Sequence, residues 1–165
     1  MISYSCEDLK GEISISEVSP RDITKDDLKF NQIFKLFGEF DSAETEYYKK
    51  LSWHWDTCSE KELRENLNNK VKRMFVASAS DTGEYVGFIT LYDSKMGADA
   101  YTCAQFVVAK SHRGKHIGRK LLEYMFKQTK GKNLFLTVTA TNEAGKHLYE
   151  SVGFKTISMW MFKKN

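Results

Sequence analysis

The sequence predicts a mixed α/β domain in which helices pack against a central sheet. The length of 165 residues corresponds to one globular domain. The composition is 41% hydrophobic and includes 11 Phe, 8 Tyr and 3 Trp, which is enough apolar surface for a core and argues against disorder. Short β-prone runs also alternate with amphipathic runs in the second half of the chain, which is typical of sheets covered by helices.

The first 70 residues predict one strand followed by two or three helices. A β-prone run over 13–18 ends before Pro20, which predicts the strand. Thr24–Asp27 resembles a helix N-cap with acids in its first turn, and an apolar face follows as far as Phe37. A second helix is predicted over about 42–52, and the capping-box pattern Ser59–Glu62 opens a third.

The remaining residues predict five strands and two helices. Two β-rich runs flank Asp81–Glu84, which indicates a hairpin. Apolar residues at helical spacing begin at Ile117, and Asn142 is a suitable helix cap. The predicted strands cover about 74–78, 85–92, 100–108, 133–139 and 154–162, and the predicted helices cover about 117–130 and 142–151.

Cysteine and hydropathy patterns indicate the cellular setting. Cys6, Cys58 and Cys103 are odd in number and far apart, which favours free thiols over a disulfide framework or a zinc site. The four histidines show no metal-binding spacing, so no metal is expected. The sequence has no secretory pattern at its start and no apolar run of about 18 residues. We therefore expect a cytoplasmic protein that does not contact a membrane.

Charge is distributed unevenly along the chain. The net charge of +3 divides into −5 over residues 1–70 and +8 over residues 71–165. The segment Lys110–Lys132 holds eight Lys and Arg against the single acid Glu123. Such a basic segment suggests a phosphate-bearing partner, although a solvated helix face would have the same composition. No recognition-helix or RNA-binding signature accompanies it, so nucleic acid is not the expected partner.

The segment with the clearest chemical meaning is the strand–turn–helix over residues 106–120. The first amides of a helix lack intrahelical partners, and with the helix dipole they form an anion site. Gly114 and Gly118 remove side chains from this region, while Arg113, Lys115 and Arg119 add positive charge. The pattern is neither a Walker loop nor a dinucleotide fingerprint. It predicts a diphosphate ligand, and a glycine-containing turn with solvated basic residues is the alternative.

Two motifs in this half resemble the signatures of the GNAT superfamily of N-acetyltransferases. Arg113–Gly118 resembles its Arg/Gln-x-x-Gly-x-Gly/Ala motif, which binds acetyl-CoA. Asn142–Phe154 resembles its second signature, with Tyr149 four residues before a Gly-Phe pair. The resemblance covers roughly residues 72–163. It implies a mixed, mostly antiparallel central sheet with helices on both faces, and an acetyl-CoA-dependent N-acyltransferase.

The resemblance also implies roles for particular residues. Main-chain groups of Phe106 and Val108 would pair with the pantetheine arm like an added strand, and Asn142 would contact that arm or a nearby water. Tyr149 would lie near the sulfur and act as general acid on the departing thiolate. The implied cofactor-binding residues are Phe106, Val107, Val108, Arg113, Gly114, Lys115, His116, Ile117, Gly118, Arg119, Asn142 and Tyr149.

One position departs from the family motif. His116 stands where the first motif glycine is usual. Its β-carbon would crowd the approach of a phosphate, or its imidazole would itself contact the phosphate.

The chain is interpreted as a single domain over 1–165, with residues 1–10 loosely ordered, an acceptor-side region over 11–70 and an acetyl-CoA-binding core over 71–165.

The acceptor side is less defined by the sequence. Acidic and aromatic side chains suit a cationic amine, although a helix with solvated acids and buried rings would look the same. These side chains are Glu39, Asp41, Glu44, Glu46, Tyr47, Tyr48, Trp53 and Trp55. The expected acceptor is a primary amine of a small molecule or of a protein, and a homodimer is left open.

The general base is also left open. Many family members have a carboxylate on the strand before the turn, but Tyr101–Gln105 has none. Asp93, Asp99 and His54 are options, and Cys103 would need an activating neighbour to act as a nucleophile. The sequence therefore predicts direct acetyl transfer from acetyl-CoA to an amine. The alternative is a non-catalytic CoA-binding sensor on the same fold.

Overall fold

A five-stranded sheet forms the centre of the computed structural model, which describes residues 13–51, 57–161 and 163. The strands follow one another in chain order, with antiparallel pairing from the first to the fourth and parallel pairing between the last two. The strands are β1 (Ile13–Val18), β2 (Arg73–Ala79), β3 (Tyr85–Asp93), β4 (Ala100–Val108) and β5 (Asn133–Leu136). The helices are α1 (Pro20–Lys25), α2 (Asp27–Lys50), α3 (Glu60–Asn69), α4 (Ile117–Gln128) and α5 (Glu143–Ser151). The predicted mixed, mostly antiparallel α/β fold is confirmed.

Both faces of the sheet are covered by helices. Adjacent strand residues point to opposite faces, so Val76 packs with the core of α1–α3 while Phe75 packs with α4. In the same way Phe88 belongs to the first core and Ile89 to the second. Strands buried on both faces have consecutive apolar residues, which explains the β-rich runs of the sequence.

The N-terminal helices begin at other residues than the sequence predicted. Ser19 caps α1, with Pro20 in its first turn, and Asp26 rather than Thr24 caps α2. The helices predicted to end near Phe37 and to restart near residue 42 are one helix. Gly38 in its interior costs about 1 kcal/mol relative to Ala, and this cost is outweighed by the burial of the apolar face of α2. The capping box of α3 is confirmed.

The C-terminal part contains one wrong prediction. No strand forms over residues 154–161, and Phe162 lies outside the described residues. Phe154 packs on Tyr149 with ring centroids 5.9 Å apart, but Trp160 further along is 95% exposed. A β-prone sequence forms a strand only where a neighbouring strand pairs with it, and none does so over this segment.

Several element ends also differ slightly from prediction. Strand β5 ends at Leu136 instead of Thr139, and α4 ends at Gln128 instead of Lys130. Helix α5 starts after Asn142 as predicted. The predictions for residues 1–10 and for Cys6, Trp53, His54 and Trp55 lie outside the described residues.

Candidate active site

The sheet opens between β4 and β5. Strand β5 pairs only with Ala100–Cys103, so β4 has no strand partner on that side from residue 104 onward among the described residues. The Ala109 amide donates to the Val86 carbonyl of β3. Because main-chain groups alternate in direction along a strand, those of Phe106 and Val108 point away from β3 into the opening. The last five residues of β4 therefore form an open strand edge.

The turn after β4 has an unusual backbone. Gly114 has φ +77°, and His116 has φ +58°, which makes it the one non-glycine residue with positive φ in the described part of the chain. A left-handed conformation costs an L-residue roughly 1–2 kcal/mol. Glycine adopts this conformation without that cost, whereas position 116 holds a histidine.

Helix α4 begins without a side-chain cap. His116 is its N-cap residue, and its side chain accepts no hydrogen bond from the first turn. Within the described segments, the amides of five residues around this start have no protein acceptor: Gly114, Lys115, Ile117, Gly118 and Arg119. The positive end of the helix dipole adds to these N–H groups, so the start of α4 has the features expected of an anion-binding site. The site lies where the open edge of β4 ends.

Two of the predicted phosphate-binding side chains contact protein groups. The Arg113 Nε donates to the Val108 carbonyl at 3.0 Å, and its Nη2 lies 3.8 Å from the Glu39 carboxylate. The Arg119 Nη2 donates to Ser151 Oγ at 2.7 Å, which joins α4 to the end of α5. Lys115 is exposed beside the amides. The structure thus brings all three cations to the turn, and their contact with a pyrophosphate remains a prediction.

Gly114 and Gly118 are needed for different reasons. A Cβ on Gly114 would meet nothing within 4 Å, so its role is to adopt the positive φ. A Cβ on Gly118 would lie 3.2 Å from both Leu148 Cδ2 and Phe106 Cζ. Gly118 therefore permits α4 to pack closely against α5 and β4, a role that the sequence pattern did not reveal.

Tyr149 lies at the side of the opening. Its ring packs on Phe106, with centroids 6.0 Å apart, and on Phe154. Burial raises the pKa of Tyr149, and Cys103 and Glu44 add to this increase. The phenol consequently stays protonated at neutral pH and is available as a donor.

The other predicted cofactor residues are placed as follows. Asn142 Oδ1 accepts from the Gly145 amide at 2.9 Å and caps α5, so the predicted cap is confirmed while its contact with a cofactor remains a prediction. Val107 and Ile117 bury their side chains in the two cores. These two residues therefore present only main-chain atoms to a ligand.

The acidic residues of α2 point in different directions. Glu46 is exposed and pairs with Lys50 at 3.0 Å, and Glu39 accepts from the Lys110 amide at 2.8 Å. Asp41 is buried, and its Oδ2 accepts from the Cys58 amide at 3.3 Å. Glu44 is half-buried, with Oε1 3.5 Å from Thr139 Oγ1.

Three candidates for the reactive groups have partners or surroundings that do not favour such a role. Asp93 pairs with Lys72 at 3.2 Å and Asp99 with Lys132 at 2.6 Å, and the Lys132 ammonium holds the pKa of Asp99 below its usual value. Cys103 is buried against Met125, and burial raises the pKa of its thiol to about 12. A thiol this hard to ionise is a poor nucleophile.

The sequence does not distinguish Glu44 from the other acids of α2. The sequence feature that could have drawn attention to Glu44 is its position three residues after Asp41 on one helix, which places both carboxylates on the same face.

Within the described ranges, no group of three or more His, Cys, Asp or Glu residues is arranged to hold a metal ion. None of the helices described has the length and apolar character needed to cross a membrane.

Comparisons with known proteins agree with this architecture. A model of the acetyltransferase (GNAT) family matches residues 36–154, and no curated protein sequence matches. The structure of the BH1408 protein from Bacillus halodurans has a TM-score of 0.71 at 15% identity over 92% of this chain and 99% of that one. The ribosomal-protein-S18-alanine N-acetyltransferase from Escherichia coli has a TM-score of 0.62 at 21% identity over 88% and 79%.

A third structure, an aminoglycoside acetyltransferase from an uncultured soil metagenomic sample, has a TM-score of 0.62 at 14% identity over 96% of this chain and 100% of that one. At these identities the structural similarities show a shared fold. The family match covers most of α2 together with β4, the turn, α4 and α5. The chain therefore belongs to the GNAT family of acetyltransferases.

Proposed function

We propose that the protein transfers an acetyl group from acetyl-CoA to a primary amine of a small molecule or a protein. The observation that carries this proposal is the uncapped start of α4 beside the open edge of β4. Free amides at a helix start suit a diphosphate, and an unpaired strand edge suits an extended amide-containing arm. A ligand that contains both parts in series matches both features.

The residues around the opening supply the other requirements of direct transfer. Bound acetyl-CoA supplies a thioester whose acetyl group is open to attack by an amine. The main-chain amides of Phe106 and Val108 face the opening and are placed to donate to a developing oxyanion. The hydroxyl of Tyr149 protonates the leaving sulfur, because the phenol is neutral at the working pH.

The acceptor we propose carries a positive charge. Asp41 and Glu44 are the acids of α2 that point inward, and carboxylates attract protonated amines. Two structural relatives, an aminoglycoside acetyltransferase and a ribosomal-protein-alanine N-acetyltransferase, are named for amine acceptors. The free thiols of Cys58 and Cys103 support a reducing compartment, and we propose the cytoplasm.

Thermal unfolding tests the binding half of the proposal. Acetyl-CoA at about a hundredfold excess over its Kd would add roughly 2.7 kcal/mol to the free energy of unfolding. S-acetylpantetheine, which lacks the diphosphate, is the matched control and should shift the melting temperature much less. An unchanged melting temperature with acetyl-CoA would contradict the proposal.

Thiol release tests the catalytic half. Acetyl-CoA is incubated with the protein and with spermidine, kanamycin or a peptide that begins with alanine, and free CoA is measured. We expect release that depends on the amine. Binding of acetyl-CoA without release for any amine would instead support the CoA-binding sensor, which the absence of a carboxylate on β4 also favours.

A further inference from the structure

Glu44 lies where the acceptor side of the molecule meets the opening in the sheet. Its carboxylate is 3.5 Å from the hydroxyl of Thr139, a residue that follows β5 and thus borders the opening. Its charge contributes to the raised pKa of Tyr149, which lies across the opening on α5. Glu44 on α2 and Tyr149 on α5 therefore both lie beside the opening.

The carboxylate of Glu44 has no cationic partner in the part of the chain that the structure describes. Within the described residues, no Lys, Arg or His pairs with its carboxylate, and its hydrogen-bond partner is the neutral Thr139 hydroxyl. Burial, followed by the negative charge of Asp41, raises the pKa of Glu44. A half-buried carboxylate without a cation is costly, and such groups are characteristic of functional sites.

The other candidate carboxylates are engaged elsewhere. Asp93 and Asp99 pair with lysines at the end of β4 where β5 is still paired, away from the opening. Glu39 accepts from the main chain of the turn, and the buried Asp41 accepts from the Cys58 amide. On the face of β4 toward α2, where a carboxylate is absent, Gln105 bonds to Thr90 and to the Tyr92 hydroxyl. Among the acids that the structure describes, Glu44 thus combines partial burial, the lack of a described cationic partner and a place at the opening.

We infer that Glu44 is a catalytic residue that binds the ammonium group of the acceptor and takes its proton; this inference rests on the proposed function. The acceptor enters as R–NH3⁺ and gives one proton to the Glu44 carboxylate. The neutral nitrogen then forms a C–N bond with the thioester carbonyl carbon, and the C–S bond breaks. The sulfur takes a proton from the Tyr149 hydroxyl, which regains one from the nitrogen. The products are an acetamide, free thiol and a protonated Glu44, which releases its proton to water.

The test compares three variants in the thiol-release assay with spermidine, kanamycin and the alanine peptide. Glu44→Gln keeps the shape and the Thr139 contact but cannot accept a proton. Glu46→Gln is the matched control, since Glu46 is an exposed acid on the same helix that pairs with Lys50. Glu44→Asp restores the carboxylate on a shorter side chain.

We expect Glu44→Gln to lower kcat/KM about 100-fold or more, within the usual range for loss of a general base. Its pH profile should lose the rise that the wild-type protein shows as Glu44 ionises. Glu46→Gln should stay within about threefold of wild type, and Glu44→Asp should recover part of the rate and the pH-dependent rise. A Glu44→Gln variant with wild-type kcat/KM and an unchanged pH profile would overturn the inference.

Failure of the proposed function gives a different result. If the wild-type protein releases no thiol with any of the amines, that function is contradicted, and the role of Glu44 is contradicted with it. If the wild type is active and Glu44→Gln is equally active, only the role of Glu44 is overturned. The melting-temperature shift with acetyl-CoA should be the same in all variants, since Glu44 lies on the acceptor side.

Stability provides a readout that needs no substrate. A carboxyl whose pKa is raised in the folded state destabilises the fold as pH increases through that pKa, and the penalty is complete above it. Glu44→Gln should therefore raise the melting temperature at pH 8 and leave it nearly unchanged at pH 4. A lower melting temperature at pH 8 would assign Glu44 a structural role and overturn the inference.

Discussion

The two sides of the opening are built from different kinds of atoms. The proposed cofactor side, formed by the end of β4, the turn and the start of α4, presents main-chain amides. The proposed acceptor side, formed by α2, presents the carboxylates of Asp41 and Glu44. A main-chain site recognises a group that every donor of one class shares, whereas a side-chain site is free to vary with the acceptor.

The difference also determines where substitutions act. No substitution other than proline removes a main-chain N–H, so the cofactor side is sensitive chiefly to changes of backbone conformation and helix packing. On the acceptor side a single side chain controls charge and proton transfer. Tyr149 is the exception, since we propose that its side chain performs chemistry on the cofactor side.

On the proposed cofactor side, the largest effect is expected for Tyr149→Phe. The ring contacts with Phe106 and Phe154 are kept, but the hydroxyl that would protonate the sulfur is lost. We expect kcat to fall about 100-fold while the melting-temperature shift with acetyl-CoA is retained. Tyr124→Phe, on α4 with its ring against Phe75, is the matched control and should have wild-type turnover. If Tyr149→Phe keeps full activity, the Tyr149 hydroxyl has no catalytic role, and the proposed cofactor side contributes only main-chain groups.

An intermediate effect is expected for Gly118→Val. Its added carbons would press on Leu148 and Phe106, whose nearest atoms lie 3.2 Å from an ideal Cβ. Overpacking of this kind costs about 1–3 kcal/mol and would displace the start of α4. We therefore expect a lower free energy of unfolding in urea together with a smaller acetyl-CoA shift.

Gly97→Val is the control for this change, since a Cβ there meets nothing within 4 Å. Equal stability of the two variants would show that the contact between α4, α5 and β4 accommodates a larger side chain at position 118. In that case close packing would not explain why glycine occupies position 118.

The cofactor side, built from main-chain groups, is easier to predict from the sequence than the acceptor side, built from side chains. The turn needs positive φ at Gly114 and a bare Cα at Gly118, and such requirements appear in the sequence as glycines at fixed spacing. On the acceptor side, the packing of α2 determines that Glu44 points toward Thr139 while Glu46 points outward and pairs with Lys50. The sequence alone does not distinguish these two acids.

Tertiary context also explains two further differences. The sequence predicts two separate helices before residue 52, but buried neighbours on α2 keep one helix continuous through Gly38. The segment after Phe154 is β-prone, yet no described strand pairs with it, so it forms no strand. In both cases the secondary structure is determined by packing with residues distant in the sequence, and local sequence preferences do not predict it.

The smallest effects concern the backbone of the turn, where two substitutions act in opposite directions. His116→Gly relieves the left-handed strain at φ +58° but increases the freedom of the unfolded chain, so we expect a net gain of about 0.5–1 kcal/mol. Gly114→Ala places a Cβ on a residue with φ +77° and open space around it, so strain alone should cost about 1 kcal/mol. Urea unfolding measures both.

The acetyl-CoA shift of His116→Gly then decides between the two roles considered for this residue. If the β-carbon crowds the phosphate, the variant should bind acetyl-CoA more tightly and show a larger shift. If the imidazole contacts the phosphate, the shift should become smaller although the protein itself is more stable. A variant less stable than wild type by more than about 1 kcal/mol would instead mean that the contacts of the His116 side chain outweigh the strain of its backbone.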